Sequence, residues 1–260
     1  MSDNWNTYFS VIDNKPASFL LDLEPWKNGE NEQYVYLYKL SVTLKDPNED
    51  GVTTNKEAEA LYAIEDSIND SIDSNYLFVG RVTTDGRRDF FYYTETTDVE
   101  KLKRLAVQFL ETYEYSINRI EEQKPRDFYY EFLFPNKSNR QRMMNRQVIE
   151  NLSGHGDTLK KAREVNHWIY FANAESRNRF KEIVQRNGFQ IENQVDKDDK
   201  FSLIISRKDL VHFHAISEVT DYLVSTAQEY GGEYDGWETK VIKEKDSFQK
   251  RLKRIFKLQE

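Results

Sequence analysis

Chemistry in this chain would have to come from four histidines, their acidic neighbours and one glycine-rich acidic stretch, because there is no cysteine. Asp209, His212 and His214 lie close together. On a strand, residues two apart face the same way, so both imidazoles could reach one metal ion. The bland alternative is a pair of structural histidines beside a helix start, and no further ligands are evident from the spacing. His155, in "SGHGD", sits between glycines on a loop. It could act as a general base, but no serine or carboxylate partner stands at a recognisable spacing. His167 precedes Trp168 in an extended run, where one of the two faces a core and the other faces out. A hydrogen-bonded structural histidine fits better than a catalytic one, since nothing visible orients the ring. "VTTDGRRDF" has a single glycine and lacks the strand–glycine loop–helix context of a nucleotide site. No cofactor or metal is expected from these patterns, and the expectation is a protein that is not an enzyme.

The richest stretch is Tyr230–Thr239, "YGGEYDGWET". Gly231-Gly232 reads as the stop of a helix, and Asp235-Gly236 permits a bulge in the strand that follows. Trp237 then has two readings. Its ring either covers the open end of a core, or stands outward with Tyr234 and Asp235 as the anchors of a contact surface.

The elements that must position these residues are legible as periodicities. In the first half, "NTYFSVI" and "ASFLLDL" flank the turn signal "DNKP", and "QYVYLYKLSVTL" alternates as a half-buried strand. Ala58, Leu61, Ile64, Ile68 and Ile72 mark an amphipathic helix from Asn55 to Asp73. Asp85-Gly86 joins two β-rich runs as a hairpin, Asp98 caps a helix carrying Leu102, Leu105, Phe109 and Leu110, and "YEYSINRIE" closes as a strand. In the second half, "RDFYYEFLF" and "NRQRMMNRQVIENL" read as helices leading in, the latter burying Met143 or Met144, Val148 and Leu152. Asp157 reads as the cap of a short helical turn. The order thereafter is strand, helix, hairpin, helix and strand, with Phe180, Ile183 and Val184 inward on one helix and Ile216, Val219 and Ala227 inward on the other. The expected fold class is α+β: two ferredoxin-like sandwiches of mostly antiparallel sheet with helices on one face.

Charge divides the chain. Residues 1–135 hold 14 Lys+Arg against 26 Asp+Glu, a net of −12, and residues 136–260 hold 23 against 19, a net of +4. Domains of 1–135 and 136–260 follow, with the boundary near Pro135. The absence of cysteine, of a leader-like start and of any apolar run near the ~20 residues of a membrane-spanning helix suggests a soluble protein of a reducing cytoplasm. The tail "KDSFQKRLKRIFKLQ" sets Phe248, Leu252, Ile255 and Phe256 against Lys and Arg, as a basic amphipathic helix would. It either docks on its own domain or meets RNA, an anionic membrane surface or the acidic first half. With an overall charge of −8 and no aromatic stacking motif, direct RNA binding is not expected.

Gly156-Asp157, Arg163, Val165, His167, Phe171, Gly188-Phe189 and above all Glu233-Tyr-Asp-Gly-Trp-Glu-Thr239 carry a resemblance. Over roughly 138–245 the chain resembles the B-type protein regulators of ribonuclease E activity. The first half, opening with Trp5 and Tyr8 and closing with "FYYEFLFPN", resembles an uncharacterised bacterial domain found ahead of that module. The resemblance implies a ferredoxin-like, non-enzymatic protein that binds a ribonuclease and changes which RNAs are processed. Tyr234, Asp235, Trp237, Arg163 and His167 are then the binding residues, and the partner is a protein. This chain departs from the family in that its matching half is mildly basic. The alternatives are an enzyme or metal-binding protein with a His/carboxylate site, and an antitoxin-like or small-ligand-binding protein using the aromatic first half.

Overall fold

The computed structural model describes residues 4–197 and 200–243, so the basic amphipathic tail lies outside the described residues. The chain divides into two compact units, Met1–Asn139 and Arg140–Glu260.

The first unit runs β1 (Trp5–Ile12), β2 (Lys15–Asp22), β3 (Tyr36–Thr43), α1 (Asn55–Ser71), β4 (Tyr76–Thr84), β5 (Arg87–Thr94), α2 (Glu100–Phe109) and β6 (Tyr115–Ile120). Its sheet has the order β1-β2-β4-β5-β3-β6, and every neighbouring pair is antiparallel. The run β3-α1-β4-β5-α2-β6 is therefore the ferredoxin-like arrangement, lengthened at one edge by the β1–β2 hairpin. Asp13 and Asn14, both at positive φ, make the two-residue turn of that hairpin, which these short polar side chains tolerate. Leu61 and Ile68 of α1 and Leu102 and Leu105 of α2 pack on Leu40, Phe90 and Tyr92.

The opposite face of this sheet is not open. Trp26 meets the rings of Tyr93 and Tyr129 edge-on at 5.1 and 5.0 Å. Tyr129 Oη donates to the Asp22 carbonyl at 2.5 Å, and Tyr8 Oη donates to that of Leu133 at 2.6 Å. The segment "RDFYYEFLF" is thus no helix leading into the second half. It makes a single wide π-type turn, Tyr129–Leu133, that seals the first unit. For this reason Leu37 and Leu40, on opposite sides of β3, are both buried where a half-buried strand was expected. Each such side chain contributes about 1.5–3 kcal/mol through burial.

The second unit runs α3 (Lys137–Gly154), β7 (Arg163–Phe171), α4 (Ala174–Arg186), β8 (Gln190–Lys197), β9 (Lys200–Asp209), α5 (Phe213–Glu229) and β10 (Gly232–Thr239). The sheet order β10-β7-β9-β8 is again antiparallel and ferredoxin-like. Phe180 and Val184 of α4 and Leu223 and Ala227 of α5 cover Ile169, Leu203 and Ile205. α5 ends at the Tyr230 cap and the left-handed Gly231 (φ 69°). Gly232 follows because a Cβ there would collide with the ring of Phe171. α3 lies beside α5, tied by Arg142 Nε donating to Asp221 Oδ2 at 2.9 Å. Of its paired methionines, Met143 is buried and Met144 is exposed. Strand alternation puts Val165, His167 and Ile169 under the helices. It leaves Trp168 half-buried and Tyr170 exposed on the other face, with Ile204 and Val195 on their paired strands.

A candidate protein-contact groove

Beside β10 the second unit has a groove of about 430 Å³. Its walls are Gln141, Met144 and Val148 of α3, Trp168 and Tyr170 of β7, and Asp235 to Glu238 of β10. β10 is the edge strand, and its register on β7 shifts between Tyr234 and Gly236, the bulge that Asp235-Gly236 predicts. The extra residue turns Asp235 outward, while Tyr234 and Trp237 both remain beneath α3 and α5.

Trp237 is only 8% exposed, so the outward reading of its ring is corrected: it belongs to the core. It packs on Leu152, Val165, Val211 and Ile216, and its Nε1 donates to Asn145 Oδ1 at 2.8 Å. Asn145, fully buried, also accepts from Gln141 Nε2 at 3.0 Å and donates to Thr220 Oγ1 at 2.8 Å. One amide therefore joins α3, α5 and β10 and holds the groove's two walls at a set spacing. No periodicity singles it out, because a polar residue on the inner face of a basic helix reads as solvated.

Arg163 and His167 are buried as well, and their side chains bond within the unit. Arg163 closes a fork on Asp157, with Nη2 donating to Oδ1 at 2.9 Å and Nη1 to Oδ2. The carboxylate further accepts from the Leu159 and Ile242 amides at 2.8 and 2.7 Å, and Nη1 also reaches the Lys240 carbonyl at 3.1 Å. Asp157 is thus no helix cap; it fastens the loop after α3 to the chain leaving β10. The Arg163 bonds hold its carboxyl well below the usual carboxylate range.

His167 shares a hydrogen bond of 2.8 Å between Nδ1 and the Tyr234 hydroxyl, and its Nε2 has no partner among the described residues. Burial, with the Arg207 charge nearby, pushes its pKa down to about 3, and burial pushes the Tyr234 hydroxyl well up. The folded state thus keeps this ring neutral where the unfolded chain would protonate it, near pH 6.5. A depressed folded pKa means that stability is intact above the unfolded value and lost as pH falls toward the folded one. Denaturant titrations should show a loss of about 3 kcal/mol between pH 7 and pH 4 that His167→Gln greatly reduces.

The other histidines are engaged separately. His155 Nδ1 bonds the Asn151 carbonyl at 2.8 Å. His212 is the N-cap of α5 and accepts from the Ala215 amide at 3.4 Å, whereas exposed His214 pairs with Glu218 at 3.2 Å. They do not share a strand, since the helix begins between them, and Asp209 is bonded to Arg207 instead. Among the described residues no group of three His, Asp or Glu could hold a metal ion. A second cavity, about 460 Å³ between β9 and α5, is lined by Arg207, Lys208, Asp209, Glu218 and Tyr222, where Arg207 pairs with Asp209 and Glu218 with His214.

Of the five residues expected to bind, only Asp235 is exposed, and Tyr234 is half-buried. The groove also exposes Met144, Tyr170 and Glu238, with Trp168 half-buried. Alternation along "REVNHWIYF" already sets Trp168 and Tyr170 on the side opposite Val165 and Ile169, so the signal was present in the strand.

Residues 3–134 match the family of unknown function DUF695, and residues 142–239 match the family "Regulator of ribonuclease activity B". No curated protein matches the chain. Among solved structures, an unknown protein from Galdieria sulphuraria aligns at 9% identity over 77% of this chain and 96% of its own, with a TM-score of 0.22. A putative glycine cleavage system transcriptional repressor aligns at 10% identity over 79% and 98%, with a TM-score of 0.21. No helix among the described residues is long and apolar enough to cross a membrane. The chain belongs to the DUF695 family through residues 3–134, and residues 142–239 are similar to the family "Regulator of ribonuclease activity B".

Proposed function

We propose that this protein is a non-enzymatic regulator that acts by protein–protein contact, with a ribonuclease as the partner and RNA processing as the process affected. The family of the second unit supports the regulatory role. One observation carries the contact reading: the groove beside β10 exposes Met144 and Tyr170 at its mouth, and an aromatic residue and a methionine are the types that anchor interfaces. Each His and Arg that could have served catalysis in this unit's signature is instead held in a structural bond.

The test is a cleavage assay of a structured RNA by an endoribonuclease from the same cell, with and without the chain. The wild type should slow or redirect cleavage. A Trp168→Ala, Tyr170→Ala variant with an unchanged melting curve should lose about tenfold in potency, since truncating two central aromatics removes about 1–2 kcal/mol or more of contact energy. Cleavage indifferent to the wild-type chain would overturn the proposal.

A further inference from the structure

Resting on the contact reading above, we infer that the groove takes an extended, arginine- or lysine-bearing protein segment rather than RNA. The groove's charge decides this. Among the described residues its only ionisable side chains besides Tyr170 are the carboxylates of Asp235 and Glu238, both exposed. Glu233 stands opposite Tyr170 in the β7–β10 register, so it shares that ring's face and adds a third acid at the rim. Among the described residues, Lys208 lies opposite Glu164 at the far end of β7 and exposed Lys240 lies two residues beyond Glu238, and neither lines the groove. Trp168 and Tyr170 give it an aromatic lining.

Aromatic rings and carboxylates lining one groove are the combination that receives a cation. The ring faces attract a guanidinium or ammonium, and the acids complete its pairing. Aromatic residues on the open face of a four-stranded sheet also stack bases in RNA-binding domains. Such surfaces need cations for the phosphates, and here phosphates would meet three acids. A second copy of this chain presenting the same groove is disfavoured on the same ground, because like charges would face each other.

The test uses the full chain labelled with ¹⁵N, with the four indole N–H signals assigned through Trp→Phe variants. The probes are a short oligo-arginine peptide, an oligo-glutamate peptide of equal length and a single-stranded oligouridylate. Oligo-arginine should shift the indole signals of Trp168 and Trp237 and leave those of Trp5 and Trp26 in place. This control matters because the first half is itself strongly acidic. Asp235→Asn with Glu238→Gln, both exposed positions, should weaken that binding about fivefold or more with no change in melting temperature, and added salt should weaken it further. Shifts confined to Trp5 and Trp26, equal affinity in the double variant, or oligouridylate acting on the same two signals would each overturn the inference. Should the ribonuclease effect persist without oligo-arginine binding, only the basic-segment assignment falls. Should oligo-arginine bind as described while cleavage is unaffected, the assignment stands and the ribonuclease reading falls.

Discussion

Asp157→Ala is expected to lower the unfolding free energy by about 3–5 kcal/mol, the largest effect of any exchange of a charged residue in the second unit. The carboxylate is inaccessible, and it answers two guanidinium nitrogens and two backbone amides at once. Removing it leaves Arg163 charged and buried and frees the amides of Leu159 and Ile242, with water only partly able to replace the lost acceptors. Asp157→Asn should recover some of the loss, because it restores one acceptor oxygen but neither the second nor the charge. The sign of the pH dependence follows from the depressed carboxyl: its contribution is complete above about pH 4 and disappears as the solution is acidified further. Urea melts at pH 7 and pH 3 check both statements, and the Ala variant should have lost the component that appears below pH 4. A wild-type-like melt for Asp157→Ala would mean that Arg163 is satisfied elsewhere.

Trp237→Ala is the second large effect, at about 3–5 kcal/mol. The ring fills the cluster of Leu152, Val165, Val211 and Ile216, and truncation also strips one donor from the Asn145 carbonyl. Trp237→Phe separates the two contributions. It keeps most of the apolar contact and loses the indole N–H, so it should cost about 1–2 kcal/mol. The comparison has a bearing on function. Trp237→Ala should abolish partner capture by loosening α3 from the sheet, whereas Trp168→Ala should reduce capture from a chain that melts normally. Circular dichroism melts beside the capture assay distinguish the two, and equal melting of the two Ala variants would show that Trp237 is not part of the core.

The residues of the signature therefore act mostly from below the surface. Asp157 and Arg163 hold the exit of β10, Tyr234 and His167 brace its inner face, and Asn145 with Trp237 sets its distance from α3. What reaches outward is the bulge residue Asp235 and its rim neighbour Glu238. A strand with a fixed bulge beside a helix is a rigid frame, and rigid frames keep exposed anchors at low entropic cost.

Much of this was open to reading in the sequence alone. The helix over Ala58 to Ile72, the hairpin at Asp85-Gly86, the stop at Gly231 and the bulge at Asp235-Gly236 are all local. Each depends on side-chain spacing or on backbone angles that few residues adopt. The order of those elements was enough to indicate two ferredoxin-like units, because short connections and antiparallel pairing leave few alternatives. The family resemblance likewise rested on contiguous residues.

Tertiary structure alone decided the rest. The sealing turn at Tyr129–Leu133 looked helical because its apolar residues are spaced as a helix's are, and only the uncovered face of the first sheet explains their use. Trp237 has the same local sequence whether it points out or in. Its direction depends on α3, some ninety residues earlier, supplying Asn145 and Leu152. His212 and His214 looked like a pair until the start of α5 fell between them. Sequence periodicity reports which face of an element is apolar; which neighbour covers that face is a long-range property, and here it separates the residues that build the groove from those that line it.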